Sequence, residues 1–272
     1  MKKSILVSVI VILLTVVINP TVALADFYAY SHTDNSIYKS SGPTLQFTKI
    51  GTLETLSYPA TNNGGLVKAS ESSAYMTERF TDLLYTVSLN DASMISVVQL
   101  DYDMKVNGRG LDISPSGILY GVFKGSQLRT VDPQTGITTF LTYIDIPGIE
   151  SIAFSSSGIL YAGTDSGDLY ELNITNGSVS LISNTPILDI DALTFASDGY
   201  LYATDALLTV ADLYRVDPLT GTTVNFGSTG LTEVNGLLAI GDIELVPVPS
   251  AVILGSIGLT FSGWLLRRRR ML

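Results

Sequence analysis

Three stretches of this 272-residue chain repeat one another: SPSGILYGVFKGSQLRTVDPQTG (residues 114–136), SSSGILYAGTDSGDLYELNITNG (155–177) and, with three extra residues, ASDGYLYATDALLTVADLYRVDPLTG (196–221). Gly117, Gly158 and Gly199 stand 41 residues apart each time, as do the pairs Leu119-Tyr120, Leu160-Tyr161 and Leu201-Tyr202. A fixed period of this length constrains the fold more than any single residue. Each copy is one supersecondary unit that cannot bury its apolar face alone and must stack on the next.

Inside the unit, short runs rich in Val, Ile, Tyr, Phe and Thr alternate with turn clusters, which is the pattern of strands and tight turns. The spacing predicts strands at 110–114, 118–123, 127–132 and 137–143. They are joined by Pro115-Ser116-Gly117, by Lys124-Gly125-Ser126 and by Pro133-Gln134-Thr135-Gly136. Proline pre-sets the first turn angle and glycine supplies the positive φ that closes it. Four antiparallel strands in about 41 residues have the size and order of a β-propeller blade.

Two weaker copies precede these three. Residues 66–100 fit a blade with Leu84-Tyr85 in its third strand, 74–80 as its second and 94–100 as its outer strand. Residues 27–53 supply only three strands, 27–30, 36–40 and 45–53. The missing inner strand lies at the far end of the repeats, where Val234-Asn235-Gly236 matches Val106-Asn107-Gly108 and runs on to Ile240. Pairing 234–240 with 27–30 closes the ring and protects two exposed sheet edges. The expectation is an all-β, five-bladed propeller of four-stranded blades, spanning 26–245, whose first blade is shared between the two ends of the repeat region.

The flanks differ in composition. Residues 1–25 carry Lys2 and Lys3, an apolar run from 5 to 18 and Ala23-Leu24-Ala25, which reads as a secretory signal peptide cleaved before Asp26. After Val246 come Pro247-Val248-Pro249-Ser250, sixteen mostly apolar residues (251–266) and Arg267, Arg268, Arg269 and Arg270. As a helix the apolar run would span roughly 24 Å, a short transmembrane segment with its arginines on the cytoplasmic side. This ending, 246–272, resembles the PEP-CTERM protein-sorting tail of Gram-negative bacteria that make exopolysaccharide. That family's motif usually reads V-P-E-P, and here Val248 stands where the glutamate would be. The resemblance implies recognition of Pro247, Pro249 and Ser250 by an exosortase, a transient membrane anchor at 251–266, and delivery to the cell surface or extracellular matrix.

Charge and residue types exclude several functions. Lys and Arg total 15, of which two lie in the leader and four in the terminal arginine run, so the body holds nine bases against all 25 acids, a net charge of −16. Such a surface repels phosphate backbones and argues against nucleic acid as a partner. With no cysteine there are no disulfides and no thiol chemistry. The single histidine, His32, sits in a polar turn and cannot assemble a histidine metal cluster or a Ser-His dyad.

Propellers bind ligands at the mouth of the central channel, which is ringed by the residues just before each inner strand. The period places Arg109, Glu150 and Asp191 at equivalent positions, with Asn107, Asp189 and Asn235 one or two residues upstream in their own blades. Such a ring can chelate a cation, calcium included, or hydrogen-bond a sugar; it can equally satisfy backbone groups in tight entry loops. Asp165-Ser166-Gly167-Asp168 lacks the spaced acids of a calcium loop and reads as a hairpin turn. The repeated Leu-Tyr pairs read as packing, and Asn107-Gly108-Arg109-Gly110 enters a strand, so it is no phosphate loop. The sequence favours a binding or structural module, with extracellular polysaccharide or another surface protein as partner and no required cofactor. An extracellular hydrolase or lyase acting on carbohydrate or lactone through Glu150 and Asp191 is the alternative.

Overall fold

The computed structural model describes residues 26–40, 45–53, 63–78, 82–102, 110–123, 126–205 and 210–240. The expected signal peptide (1–25) and sorting tail (246–272), together with Asn107 and Arg109, lie outside the described residues. Among those described there is no helix long and apolar enough to cross a membrane.

Among the described residues, twenty strands form five four-stranded sheets. Four sheets are consecutive meanders: β4 (Asn63–Ser70) to β7 (Met94–Gln99), β8 (Leu111–Ile113) to β11 (Thr138–Tyr143), β12 (Ile149–Phe154) to β15 (Val179–Asn184), and β16 (Ile190–Phe195) to β19 (Thr223–Thr232). The fifth combines β1 (Asp26–Ser31), β2 (Ser36–Ser40) and β3 (Phe47–Thr52) with the last strand, β20 (Val234–Ile240). β20 pairs antiparallel with β1, Asp26 opposite Ile240 and Tyr28 opposite Leu238. The protein is a five-bladed β-propeller whose first blade is completed by both ends of the repeat region, as the sequence implied.

The Leu-Tyr signature follows from strand geometry, because consecutive side chains point to opposite faces of a sheet. Leu119 packs into the core shared with the preceding blade, beside Val67 and Leu84. Tyr120 turns to the other side, into a core with Ile149, Ile152 and Leu160 of the following blade. Leu160 and Tyr161 repeat the division, and so do Leu201 and Tyr202, and Phe27 and Tyr28. The hydrophobic core is therefore five interfaces between neighbouring blades. Aromatic contacts join them: Tyr120 meets Phe154 at 5.0 Å, Tyr161 meets Phe195 at 5.9 Å, and Tyr202 meets Phe27 at 4.9 Å.

Ring closure leaves a steric mark at Gly236, where an added Cβ would lie 2.9 Å from the Cβ of Leu66 on β4, so the last inner strand touches the second blade without room for a side chain. At the far end of each inner strand the turn glycines Gly117, Gly158 and Gly199 take φ of +82°, +86° and +84°, a region that costs other residues about 1–2 kcal/mol. Ser114 Oγ and Ser155 Oγ complete their turns by accepting from the backbone N–H of Ile118 (3.3 Å) and Ile159 (3.0 Å).

Candidate functional site at the channel entry

The inner strands β4, β8, β12, β16 and β20 surround the channel, and four of them begin with the same irregularity. On β4 the extra residue is Gly65, between Gly64 opposite Thr77 and Leu66 opposite Met76. On β12, Ile149 faces Thr164 and Ser151 faces Gly163, which leaves Glu150 as an extra residue. On β16 the extra residue is Asp191, between Ile190 opposite Asp205 and Ala192 opposite Thr204. On β20 it is Asn235, between Val234 opposite Ser31 and Gly236 opposite Tyr30. Such a bulge bends the strand and re-aims the side chain it carries.

The register corrects the placement of Asn235. The shared Val-Asn-Gly motif suggested that Asn235 matches Asn107, upstream of the ring position. The pairing instead puts it level with Glu150 and Asp191. The upstream position is a backbone hinge. Two residues before the bulges of β12, β16 and β20 the chain turns left-handed, at Gly148 (φ 65°), Asp189 (φ 66°) and Glu233 (φ 47°). Glycine reaches that region at no steric cost, whereas Asp189 and Glu233 hold it under strain. Asp189 is thus a turn residue beside the mouth.

Glu150, Asp191 and Asn235 are 8 %, 2 % and 4 % exposed, so three polar side chains are buried at one level of three successive blades. Glu150, Asp189 and Asp191 each have interaction partners. The Oδ1 of Asn235 is buried and accepts no hydrogen bond. Asp191 and Asn235 both line a cavity of about 20 Å³ in the channel, whose other walls include Gly65, Gly110, Ser151 and Ala192. Small residues at that level keep the space open beside the polar groups. A cavity of this size holds one body about as large as a water molecule.

Two further acids reach this region, and the sequence reading passed over both. Asp112 lines the channel on β8, where the register puts Val67, Ala153, Thr194 and Leu238 on the other blades. Its Oδ2 accepts the N–H of Phe154 from the adjacent inner strand at 2.5 Å, as Thr194 Oγ1 accepts that of Ala239 at 3.3 Å. Asp112 is half-buried by exposed area, yet its carboxyl stands among protein atoms at the centre of the ring. Burial pushes it up to about 7, against the lowering effect of the Phe154 and Ile113 N–H groups. The available signal was a lone charge in an otherwise uncharged register column. Asp205, opposite Ile190, accepts from the Asp212 N–H at 3.0 Å and from the Tyr214 hydroxyl at 3.1 Å. Burial raises its carboxyl above the ordinary range, and burial beside the Asp205 charge pushes the Tyr214 hydroxyl up to about 12.

Among the described residues no three His, Cys, Asp or Glu side chains gather as a metal-binding group. Residues 165–168 form the expected hairpin turn between β13 (Leu160–Thr164) and β14 (Asp168–Leu172), closed by Gly167 N–H to Thr164 O at 3.0 Å. His32 lies half-buried in the turn after β1, its N–H donating to Glu233 O at 2.9 Å.

No protein-family model matches this chain, and no curated protein matches it. Its fold is similar to that of several solved structures at low identity. One, from a nidogen/laminin complex, has a TM-score of 0.55 at 17 % identity and covers 79 % of this chain and 81 % of that one. A symmetrical protein described in terms of de novo evolutionary emergence and folding constraints has a TM-score of 0.52 at 18 % identity, covering 79 % of this chain and 98 % of its own. A protein of unknown function from Bacteroides caccae gives 0.52 at 10 % identity, covering 80 % and 99 %. These likenesses establish the β-propeller fold, which serves binding and structural modules in general.

Proposed function

We propose that this protein is an exported binding or structural module of the cell surface or extracellular matrix, sorted by its C-terminal tail and contacting its partner at the channel entry. The observation that carries the reading is the buried set Glu150, Asp191 and Asn235, held at one level by three matching bulges. Polar side chains cost free energy to bury, and on a scaffold whose stability lies between the blades they have a use at the mouth. The acid excess and the absence of cysteine and of a histidine cluster are in keeping with a non-catalytic surface protein.

Asp26 pairs with Ile240, so the chain enters and leaves the propeller beside the same end of the channel, opposite the bulges. The partner is a hydroxyl-rich polysaccharide or a surface protein offering hydrogen-bond donors, met at the rim of the mouth because the cavity itself takes nothing larger than a water molecule, and the sorting enzyme is an exosortase.

The test has two arms. Replacing Pro247 and Pro249 by alanine and following the protein between inner membrane, surface and medium should leave it in the membrane fraction; an unchanged distribution overturns the sorting reading. Presenting the full chain to arrays of neutral and acidic extracellular polysaccharides should give binding that Glu150→Gln weakens. Binding that is absent, or indifferent to Glu150, removes the mouth from the account.

A further inference from the structure

We infer that Asn173, in the turn between β14 and β15 of the fourth blade, is an acceptor for N-linked glycan transfer. The observation is a difference between repeats at a turn they share. The chain reverses through Asp132-Pro133-Gln134-Thr135-Gly136-Ile137 in the third blade, Asn173-Ile174-Thr175-Asn176-Gly177-Ser178 in the fourth and Asp217-Pro218-Leu219-Thr220-Gly221-Thr222 in the fifth. The backbone is the same in each: the first residue's N–H donates to the last carbonyl at 2.9 Å, and the glycine N–H to the first carbonyl at 2.8 Å. The first side chain completes the turn, its Oδ1 accepting the N–H two residues on at 2.8 Å in Asp132, 2.9 Å in Asn173 and 2.8 Å in Asp217.

Aspartate therefore serves this turn as well as asparagine does, and proline fits its second position. The fourth blade departs from both neighbours at three consecutive places: Asn for Asp, Ile for Pro, and Thr for Gln or Leu. Together these changes write Asn-x-Thr with x other than proline, the acceptor triplet of N-glycosylation. The turn itself requires none of them.

The reacting groups lie outside. Asn173 and Thr175 are exposed, while Ile174 turns inward against the core between the third and fourth blades. Because Oδ1 faces the N–H groups of the turn, the amide nitrogen of Asn173 is presented to solvent. Glu171, exposed two residues ahead, offers a carboxylate that an arginine of the transferase can pair with. Asn176-Gly177-Ser178 is a second such triplet, but its middle residue is buried. A Cβ at Gly177 would lie 2.0 Å from the carbonyl oxygen of Tyr143, so this part of the turn is docked on the third blade.

In the transfer, Asn173 Nδ2 attacks C1 of an oligosaccharide carried on polyprenyl pyrophosphate. The N–C1 bond forms, the C1–O bond to the pyrophosphate breaks, and polyprenyl pyrophosphate leaves. One proton of the amide passes to a base of the oligosaccharyltransferase. Leu172 pairs with Leu160 at the end of the blade away from Ile149, so the glycan projects from the side opposite the bulges. The inference rests on the export reading, because such transfer takes place outside the cytoplasm.

The experiment therefore places the full chain from Asp26 behind the leader of an established secreted protein, in Gram-negative cells that supply an oligosaccharyltransferase and its lipid-linked oligosaccharide. Failure of the native leader then shows only when the native chain is fractionated. The masses of the purified protein and of its Asn173 peptide are measured. The wild type should gain the mass of one oligosaccharide, on Asn173. Asn173→Asp, which restores the residue of the third and fifth blades, should fold and carry no glycan, and Ile174→Pro should also lose it. The aspartate variant decides the matter if the proline variant does not fold. A wild type without added mass, an added mass that survives in Asn173→Asp, or a glycan on Asn176 alone each overturns the inference.

Discussion

The two ends of the channel are built on the same five strands and treat polar residues in opposite ways. At the exit, β8, β12 and β16 each run into a turn whose polar groups are satisfied within their own blade. Ser114 and Ser155 receive the backbone N–H four residues on, and in the third copy Asp198 receives that of Tyr200 at 3.1 Å. At the entry, the matching bulges carry Glu150, Asp191 and Asn235, buried side chains of differing type at the channel end that the blades share. Where a residue's partner lies in its own repeat, the repeat keeps it. Where the environment is assembled from several blades, each copy is free to differ, and a site can be built.

That contrast can be broken from the scaffold side first. Leu160 is fully buried in the core between the third and fourth blades, so Leu160→Ala should cost about 2–5 kcal/mol in urea unfolding of the full chain. A loss below about 1 kcal/mol would mean that the interfaces do not carry the stability assigned to them.

Asp112 sharpens the comparison, since it is a charged group used as a clasp between inner strands. Its carboxyl is held at about 7 in the folded protein against an ordinary 3.8, so the folded state holds the proton more tightly than the unfolded chain. The contribution of this group is full below about pH 4, declines as pH rises towards 7, and is flat above that. Asp112→Asn should remove this decline and make the variant more stable relative to wild type at pH 8 than at pH 4. Parallel stability–pH curves for the two proteins would show that the carboxyl does not titrate there.

The smallest effect belongs to the hinge. Asp189 occupies the left-handed position that glycine fills at Gly148, so Asp189→Gly should raise stability by up to about 1 kcal/mol and leave ligand binding unchanged. A loss of binding in that variant would move Asp189 from the hinge into the site.

The propeller was legible because its signature is local. The 41-residue spacing and the Leu-Tyr pairs follow from residues of one blade facing its two neighbours, and the missing inner strand of the first blade was visible at 234–240. The mouth was only partly legible. A bulge leaves no mark in sequence, and the extra residues in the last full repeat shift the period. Val234-Asn235-Gly236 therefore aligned by letter with Val106-Asn107-Gly108, while its hydrogen bonds put it two residues further on. Asp112 escaped notice because attention to the residues before each strand passes over one within it. Asp205 was hidden because its neighbourhood with Ile190 exists only once two strands pair.

The account holds that the scaffold carries stability and the entry residues are kept for a ligand. Unfolding Asn235→Ala tests this most directly, because Asn235 has no positive φ to preserve and its amide oxygen has no hydrogen bond to lose. The variant should be within about 1 kcal/mol of wild type or more stable. A loss as large as that of Leu160→Ala would make Asn235 part of the scaffold and contradict the account.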